Sequence, residues 1–236
     1  MDWLSNSYVV LTTNSLTISY TIDRLDNEKY KNNILNFIQQ TDKSIENIKT
    51  SKLENEDWLI KLPENIKEEL MISRKLKTII VQRQVYDSFG NKKGLNNLKI
   101  GESNGTKKLL ALSALLIDIL QEGKTLVIDE LEASLHPIIV RFILNLFHSP
   151  ETNPHNAQLI FATHDTHLLS PRFFRRDQIW FTEKNQQGVT DLYSLADFDI
   201  SKDDYQQDYF KGKYGAIPYI GGDFEIFSKE GENCEK

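Results

Sequence analysis

The chain has 236 residues, enough for one large domain or two small ones, and 39% hydrophobic and 26% charged residues are typical of a globular protein. A net charge of -6 argues against a protein that coats nucleic acid along its whole surface, because such binding needs many lysine and arginine contacts to phosphates. The longest apolar run, residues 109–120, contains Ser113 and Asp118 and is shorter than the roughly 20 residues of a membrane span. No transmembrane helix and no membrane partner is therefore expected.

Two features near the ends of the sequence bear on its location. The first ten residues, MDWLSNSYVV, contain neither Lys nor Arg and no long apolar stretch, so a secretory leader is not expected. A cytoplasmic location is predicted. The single cysteine, Cys234, lies in a polar tail, which excludes a disulfide framework and a cysteine-based metal site.

Residues 1–75 differ in composition from the rest of the chain and are predicted to form a helical accessory region. They are rich in Asn, Lys, Glu, Asp and Ile. Their isoleucines recur at roughly helical spacing, as at Ile34, Ile38, Ile45 and Ile48. One or two amphipathic helices are expected there. The composition changes near residue 76, which predicts a boundary between residues 1–75 and a second region, residues 76–236.

The segments between residues 77 and 123 predict a β-hairpin followed by a long helix. KTIIVQRQVYD is rich in β-branched residues, and FGNKKG supplies turn residues before LNNLKI. The next segment, ESNGTKKLLALSALLIDILQEG, ends its apolar pattern at Gly123, as a helix does. Its apolar face consists of Leu109, Leu112, Leu116 and Ile119.

Downstream of that helix, predicted strands and helices alternate. Apolar strands such as TLVI and LIFA, joined by helical crossovers, are typical of buried parallel strands. The fold class predicted is therefore α/β, with a mostly parallel sheet covered by helices. The elements are a strand (124–128), a helix (137–147), a strand (158–162), a short helix (165–169) and a strand (178–183). The tail DYFKGKYGAIPYIGGDFEIF is expected to pack on the sheet edge.

Two adjacent carboxylates, Asp129 and Glu130, follow the first of these strands in TLVIDELEASLHP. Ligands of open α/β sheets bind at the carboxyl ends of parallel strands. In phosphoryl transfer one carboxylate holds Mg2+ at the phosphates while a second polarises the attacking water. Asp129 is therefore a candidate metal ligand and Glu130 a candidate base. The alternative is that the pair merely ends a strand and starts a turn.

Two further segments are candidates for contacting phosphate. In ESNGTKK, Ser103 can cap the following helix and Gly105 removes side-chain bulk, and helix starts of this kind bind anions. In IFATHDTHLL, His164 follows an apolar strand and is expected at the same sheet edge as Asp129 and Glu130. An imidazole there can contact a terminal phosphate. The alternatives are an ordinary capped helix start and a histidine that caps or packs.

These motifs occur in the order of a known ATPase architecture. ESNGTKK, TLVIDELEASLHP and FATHDTHLL together resemble the signature loop, Walker B strand, D-loop and switch histidine of ABC-type ATPase heads. RRDQIWFTEK, LYSLADF and YFKGKYGAIPYI resemble segments of bacterial AAA-family ATPases of abortive-infection and phage-defence type. The likeness covers residues 76–220, and residues 1–75 only weakly. It implies a P-loop NTPase-like fold that uses ATP and Mg2+.

The resemblance also implies roles for single residues. Glu130 would be the catalytic base, Asp129 would position Mg2+, and His164 would be the switch histidine. In the family, the signature loop contacts the γ-phosphate held by a facing subunit, and the D-loop lies across the dimer interface. The residues at these positions are Ser103, Gly105 and Thr106 in the signature loop and Ser134 and Leu135 in the D-loop. The signature reads ESNGT and not the LSGGQ of transporters, which favours a soluble head.

One motif that the resemblance calls for is missing from the sequence. No G-x-x-x-x-G-K-[ST] occurs, and FGNKKG has Gly90 and Gly94 but no G-K-[ST] ending. Without that loop's backbone N–H groups and lysine, binding of the β- and γ-phosphates loses its main electrostatic source. The chain is therefore expected to be the C-terminal half of an ATPase: a truncated gene product, one half of a split ATPase, or an expressed fragment.

Three functions follow as hypotheses. The first is an ATP-binding and ATP-hydrolysing head of a bacterial defence system, partnered by a second copy or a Walker A-containing protein and by a defence effector. The second is a noncatalytic half-head that completes or blocks an intact ATPase. The third is a nucleic-acid-binding accessory domain. A basic cluster could contact nucleic acid, although a solvated basic turn explains it better; its members are Arg172, Arg175 and Arg176, with Lys107 and Lys108.

Overall fold

The computed structural model of the chain divides into two compact units, residues 1–164 and residues 165–236. The residues that the structure describes are 7–11, 18–52, 77–98, 103–185, 187–199 and 204–218. Within these ranges, no helix combines the length and the apolar character needed to cross a membrane. The boundary predicted at residue 75 lies outside the described residues.

The described part of the chain contains both α-helices and β-strands, connected by turns and short 3₁₀ segments. The helices are α1 (Ser19–Arg24), α2 (Glu28–Gln39), α3 (Asn104–Glu122), α4 (Pro137–His148) and α5 (Tyr205–Phe210). The strands are β1 (Tyr8–Leu11), β2 (Ile45–Lys52), β3 (Lys77–Tyr86), β4 (Lys92–Leu98), β5 (Thr125–Ile128), β6 (Gln158–Phe161), β7 (Trp180–Lys184) and β8 (Thr190–Ser194).

A parallel sheet with the strand order β1-β5-β6 forms the centre of the first unit. Its register aligns Val127 with Val10 on one side and with Ile160 on the other. Leu126 and Ile128 of the central strand are buried. This confirms the parallel pairing predicted for TLVI and LIFA, joined by helix α4. Strand β1 was not predicted, because residues 1–75 were expected to be helical.

Helix α3 begins and ends where the sequence predicts. The Ser103 side chain accepts a hydrogen bond from the Thr106 backbone N–H at 3.1 Å, and Gly123 ends the helix in the left-handed region at φ 66°. The four leucine and isoleucine side chains of the predicted apolar face are all buried. Helix α1 contacts α3 through polar groups, since the Thr21 hydroxyl donates to the Leu110 carbonyl oxygen at 2.8 Å.

The region predicted to be helical is part helix and part strand. Ile34 and Ile38 lie buried on α2, as predicted, but Ile45 and Ile48 lie on strand β2. Strand β2 pairs with β3 in an antiparallel sheet whose third strand is β4, and the β3–β4 hairpin was predicted. Residues three apart face opposite sides of a regular strand, but a register shift between Ile45 and Asn47 leaves both isoleucines buried. The register shift therefore gives two buried residues of a strand the three-residue spacing that is typical of a helix.

The second unit is built around a small antiparallel sheet of β7 and β8. The strand predicted at residues 178–183 is therefore found at Trp180–Lys184, and it pairs with β8 rather than with a parallel neighbour. The short helix predicted at residues 165–169 is a 3₁₀ turn at Thr166–Leu168. In the tail, Tyr209 and Tyr214 stack on the ring of Phe181. The tail's residues 219–236, with Cys234, lie outside the described residues.

Candidate functional site

The candidate site lies at the carboxyl end of strand β5. The Asp129 backbone N–H donates to the Leu11 carbonyl oxygen at 3.1 Å, so the carboxylate pair directly follows the last residues of the paired strands. The Asp129 side chain is exposed, and Glu130 is half-buried. Glu130 adopts φ 49°, a left-handed conformation that costs a residue other than glycine about 1–3 kcal/mol. The surrounding structure must therefore hold it there.

Lys108 of helix α3 contacts this strained turn. Its Nζ donates to the carbonyl oxygens of Glu130, at 2.9 Å, and of Leu131, at 3.1 Å. Burial lowers the pKa of Lys108 below its ordinary value, while the carboxylates of Glu132 and Glu130 favour its charged form. From the sequence alone, Lys108 was predicted only as a member of a basic cluster. Its contact with two backbone carbonyl oxygens depends on the fold, so no sequence motif identifies it.

Glu132 connects the same turn to the end of strand β6. Its Oε1 accepts a hydrogen bond from the His164 backbone N–H at 2.7 Å. Its Oε2 is buried and has no hydrogen-bond partner within the described ranges. Glu132 was not among the predicted site residues. The only signal in the sequence is a third carboxylate close behind Asp129 and Glu130, and such a residue is more often solvent-exposed.

Gly105 lies against the segment predicted to be the D-loop. A Cβ atom at position 105 would be 2.8 Å from the carbonyl oxygen of Ser134, closer than carbon and oxygen atoms can approach. Ser134 itself is left-handed, at φ 62°. The loss of side-chain bulk predicted for Gly105 therefore serves a close backbone approach within one chain. Contact of Gly105 and Ser134 with a nucleotide stays a prediction.

The structure brings most of the predicted site residues into one cluster. The first turn of α3 contacts the turn after β5 through Gly105 and Lys108, and Glu132 links that turn to His164. The His164 side chain is exposed. Ser103 and Thr106 interact with one another at the start of α3, where their hydroxyl oxygens are 2.9 Å apart. Their expected contacts with a nucleotide remain predictions.

The residues at this edge fit a magnesium ion that is shared with a ligand. Within the described part of the chain, no three His, Cys, Asp or Glu side chains are grouped closely enough to enclose a metal. Mg2+ is usually held by one or two carboxylates together with substrate phosphates and water. The exposed carboxylate of Asp129, at the end of a parallel strand, is a hard oxygen donor of the kind that this arrangement needs.

A Gly-Lys-Thr tripeptide at residues 123–125 is not a phosphate-binding loop. Asp118 stands where that motif has its first glycine. In a phosphate-binding loop the glycines precede a helix, whose first N–H groups face the phosphate. Here Gly123 follows the last turn of α3, where the free carbonyl groups repel an anion.

The comparison with protein families supports the ATPase resemblance. The family model described as "AAA domain, putative AbiEii toxin, Type IV TA system" matches residues 4–170, well over half of the chain. The match starts earlier than the predicted likeness at residue 76, and it ends before the segments RRDQIWFTEK, LYSLADF and YFKGKYGAIPYI. Among curated proteins, none matches the chain. The matched range contains β1 to β6 and the whole candidate site, and the chain therefore belongs to this AAA-domain family.

Proposed function

We propose that the chain is an ATP-binding and ATP-hydrolysing head of the ABC type within this AAA-domain family, acting in a bacterial defence system. The observation that carries the proposal is the position of Asp129 and Glu130. They follow a buried parallel strand, next to a strand whose end leads to His164. This is the edge of an open α/β sheet at which ligands bind. The family match supports nucleotide chemistry at that edge.

In this proposal the residues that follow β5 and β6 have separate roles in ATP hydrolysis. Mg2+ bound with ATP would neutralise charge on the phosphates, and Asp129 is the carboxylate that would hold it. Glu130 is the base that would orient the attacking water and accept its proton. The imidazole of His164 would contact the terminal phosphate. The different exposure of the two carboxylates, with Asp129 exposed and Glu130 half-buried, suits these separate roles.

The start of helix α3 is proposed to supply the contact with a second phosphate group. Ser103, Gly105 and Thr106 form its capped first turn, and helix N-termini favour anions through their dipole and their free N–H groups. As in ABC-type heads, that phosphate would be held by a facing subunit, with Ser134 near the interface. The proposal therefore includes a dimer, formed with a second copy or with a Walker A-containing partner, and a separate defence effector.

The test is Mg-ATP binding, turnover and oligomeric state of the purified chain, compared with Glu130→Gln. Because a general base contributes about 100-fold or more to the rate, we expect turnover to fall by at least about 100-fold in this variant. Nucleotide-dependent dimerisation should persist, since the amide keeps the shape of the side chain. Glu151→Gln, at an exposed glutamate after α4, is the control and should hydrolyse ATP like the wild type. Equal turnover in Glu130→Gln would contradict the assignment.

A second candidate function is a noncatalytic half-head that binds to, and completes or blocks, an intact ATPase. The observation that favours it is the sequence itself, which contains no G-x-x-x-x-G-K-[ST]. The same calorimetry separates the two candidates. Micromolar binding of Mg-ATP with nucleotide-driven dimerisation supports the first, as an ATPase in its own right. Undetectable binding means that the site waits for a phosphate loop supplied by another polypeptide, or that it is no longer used, as in the second.

A further inference from the structure

The turn that follows β5 is fixed from two directions by side chains that lie outside the predicted catalytic set. On one side, Lys108 donates to the carbonyl oxygens of Glu130 and Leu131. On the other side, Glu132 accepts the backbone N–H of His164 at 2.7 Å. Both contacts involve backbone atoms, so they determine the path of the chain at Glu130 and at His164.

The backbone conformation of Glu130 makes such a constraint necessary. Its φ of 49° lies in a region that residues other than glycine rarely adopt. If the turn relaxed to an ordinary helical or extended conformation, the Cα–Cβ bond of Glu130 would point in another direction. The carboxylate would then leave the position from which it can accept a proton, because a base must lie within hydrogen-bond reach of its substrate.

We propose that Lys108 and Glu132 are positioning residues for ATP hydrolysis: Lys108 holds Glu130 in its left-handed conformation, and Glu132 holds the His164 backbone against the same turn. This inference rests on the proposed ATPase function. Neither side chain needs to touch ATP. The two contacts connect the first turns of helix α3, the turn after β5 and the end of β6, so that the proposed base and the proposed phosphate-binding histidine share one support.

Lys108 and Glu132 are partly buried, which favours a role in positioning the backbone over that of an ion pair on the surface. The Lys108 ammonium is partly removed from water, and the two carbonyl oxygens replace part of its hydration. Oε2 of Glu132 is buried without a hydrogen-bond partner in the described part of the chain. Leaving a buried carboxylate oxygen unpaired is unfavourable.

The test measures turnover, Mg-ATP affinity and amide hydrogen exchange in matched variants of the 236-residue chain. Lys108→Met keeps the aliphatic stem and removes the donor, and Glu132→Ala removes the acceptor. We expect turnover to fall about 10- to 100-fold in each, because misplacing a catalytic group by about 1 Å can cost about 100-fold. Mg-ATP affinity should stay within about threefold of the wild type, since the phosphates are not contacted.

The conservative variants should restore activity. Lys108→Arg can still donate to carbonyl oxygens, and the side-chain amide oxygen of Glu132→Gln can still accept the His164 N–H. In the nucleotide-free chain, exchange of the His164 amide should accelerate in Glu132→Ala but not in Glu132→Gln. Lys124→Met, at the far end of α3, is the control for the loss of a lysine and should behave like the wild type.

Every other result counts against the positioning inference, and one of them also counts against the ATPase proposal. Faster exchange at His164 with unchanged turnover would make the contacts structural only and overturn the inference. A parallel loss of affinity and turnover would mean that the side chains hold the nucleotide rather than position the base, and it would overturn the inference too. If only Glu130→Gln loses turnover, the ATPase proposal stands and the positioning role fails. If the wild-type chain neither binds nor hydrolyses Mg-ATP, it is not an ATPase in its own right, and this inference for the 236-residue chain fails with that proposal.

Discussion

The two compact units are stabilised by different kinds of side chain. In residues 1–164 the core is mainly leucine and isoleucine, and single polar side chains connect its elements through backbone atoms, as Lys108 and Glu132 do. In residues 165–236 the core is largely aromatic, and its rings surround Phe181. Among the described residues, three non-glycine residues of the first unit are left-handed, Glu130, Ser134 and Asn156, and one of the second unit, Ala216. Glu130 and Ser134 lie within five positions of each other, at the candidate site.

This difference between the two units indicates which substitutions should change the geometry of the candidate site and which should change stability. Hydrogen bonds between a charged side chain and a backbone atom contribute only about 1.5–3 kcal/mol each, but they specify one conformation of a turn. Aromatic side chains bury about 150–250 Å² each and contribute mainly to stability. We therefore expect the second unit to tolerate changes on its surface and to be sensitive at its aromatic centre. The site in the first unit should instead be sensitive where backbones approach closely.

The largest effect is expected for Phe181→Ala. Phe181 is 7% exposed and lies within 5.9 Å, between ring centroids, of Tyr193, Tyr209 and Tyr214. Loss of a buried phenylalanine costs about 3–5 kcal/mol, part of it from the cavity that remains. Native-state hydrogen exchange should show this loss as reduced protection of residues 180–194.

Phe210→Ala is the matched control for that variant. Phe210 is 63% exposed, and its contact with a neighbouring ring is the tilted one to Tyr209. Removal of the Phe210 ring should change the free energy of opening, as measured by hydrogen exchange at residues 180–194, by less than about 1 kcal/mol. Equal effects of the two variants would mean that the aromatic cluster does not stabilise this unit, and the contrast between the units would be lost.

The next effect in size is expected for Gly105→Ala. In an ordinary helix this substitution is favourable by about 0.5–1 kcal/mol. Here the new Cβ atom would lie 2.8 Å from the Ser134 carbonyl oxygen, so the turn must shift. Overpacking of this kind costs about 1–3 kcal/mol. Urea denaturation should therefore show a lower midpoint for Gly105→Ala than for the wild type.

Asn104→Ala is the control because Asn104 is exposed and precedes Gly105 in the same helical turn. It should leave the denaturation midpoint close to that of the wild type. A higher midpoint for Gly105→Ala would show that the first turn of α3 and the segment around Ser134 do not need close contact. The site would then be less rigid than its polar contacts indicate.

Whether a feature depends on neighbouring residues or on distant ones explains which parts of the fold and of the candidate site could be predicted from the sequence. The apolar strands TLVI and LIFA and the capped helix α3 were predictable because burial and capping act on residues that are neighbours in the sequence. The candidate residues Asp129, Glu130 and His164 were found because strand ends place them at one edge. Each of these predictions depends on a local pattern.

What escaped prediction depends on contacts across the chain or on an irregular strand. Lys108 and Glu132 bind backbone atoms of residues 22 to 32 positions away, and such contacts have no motif. Ile45 and Ile48 were assigned to a helix because the register shift in β2 gives a strand the spacing of a helix. The close approach of Gly105 to Ser134 is visible only once the chain is folded.

The smallest expected effect is on the pH dependence of stability at alkaline pH. It is tested at one tyrosine in each unit. Burial and the hydrogen bond with Asp118 raise the pKa of Tyr20 to about 12. Burial and the hydrogen bond with Glu183 raise the pKa of Tyr193 to about 12. Since an unfolded tyrosine has a pKa near 10, both contribute stability that is complete below about pH 10 and is lost as the pH rises to about 12.

Tyr193→Phe tests this contribution in the second unit. The variant lacks the hydroxyl, whose one hydrogen can be donated to the Tyr214 carbonyl oxygen at 2.7 Å or to Glu183 Oε2 at 3.1 Å. This loss should cost about 1 kcal/mol at neutral pH. Between about pH 10 and pH 12, however, its stability should fall less steeply than that of the wild type. Urea denaturation across that range measures the slope, and phenolate absorbance should lose one late-titrating group. Tyr20→Phe should remove a similar group from the first unit. If neither variant changes the slope, the folded state disfavours neither phenolate, and the raised pKa values of Tyr20 and Tyr193 are contradicted.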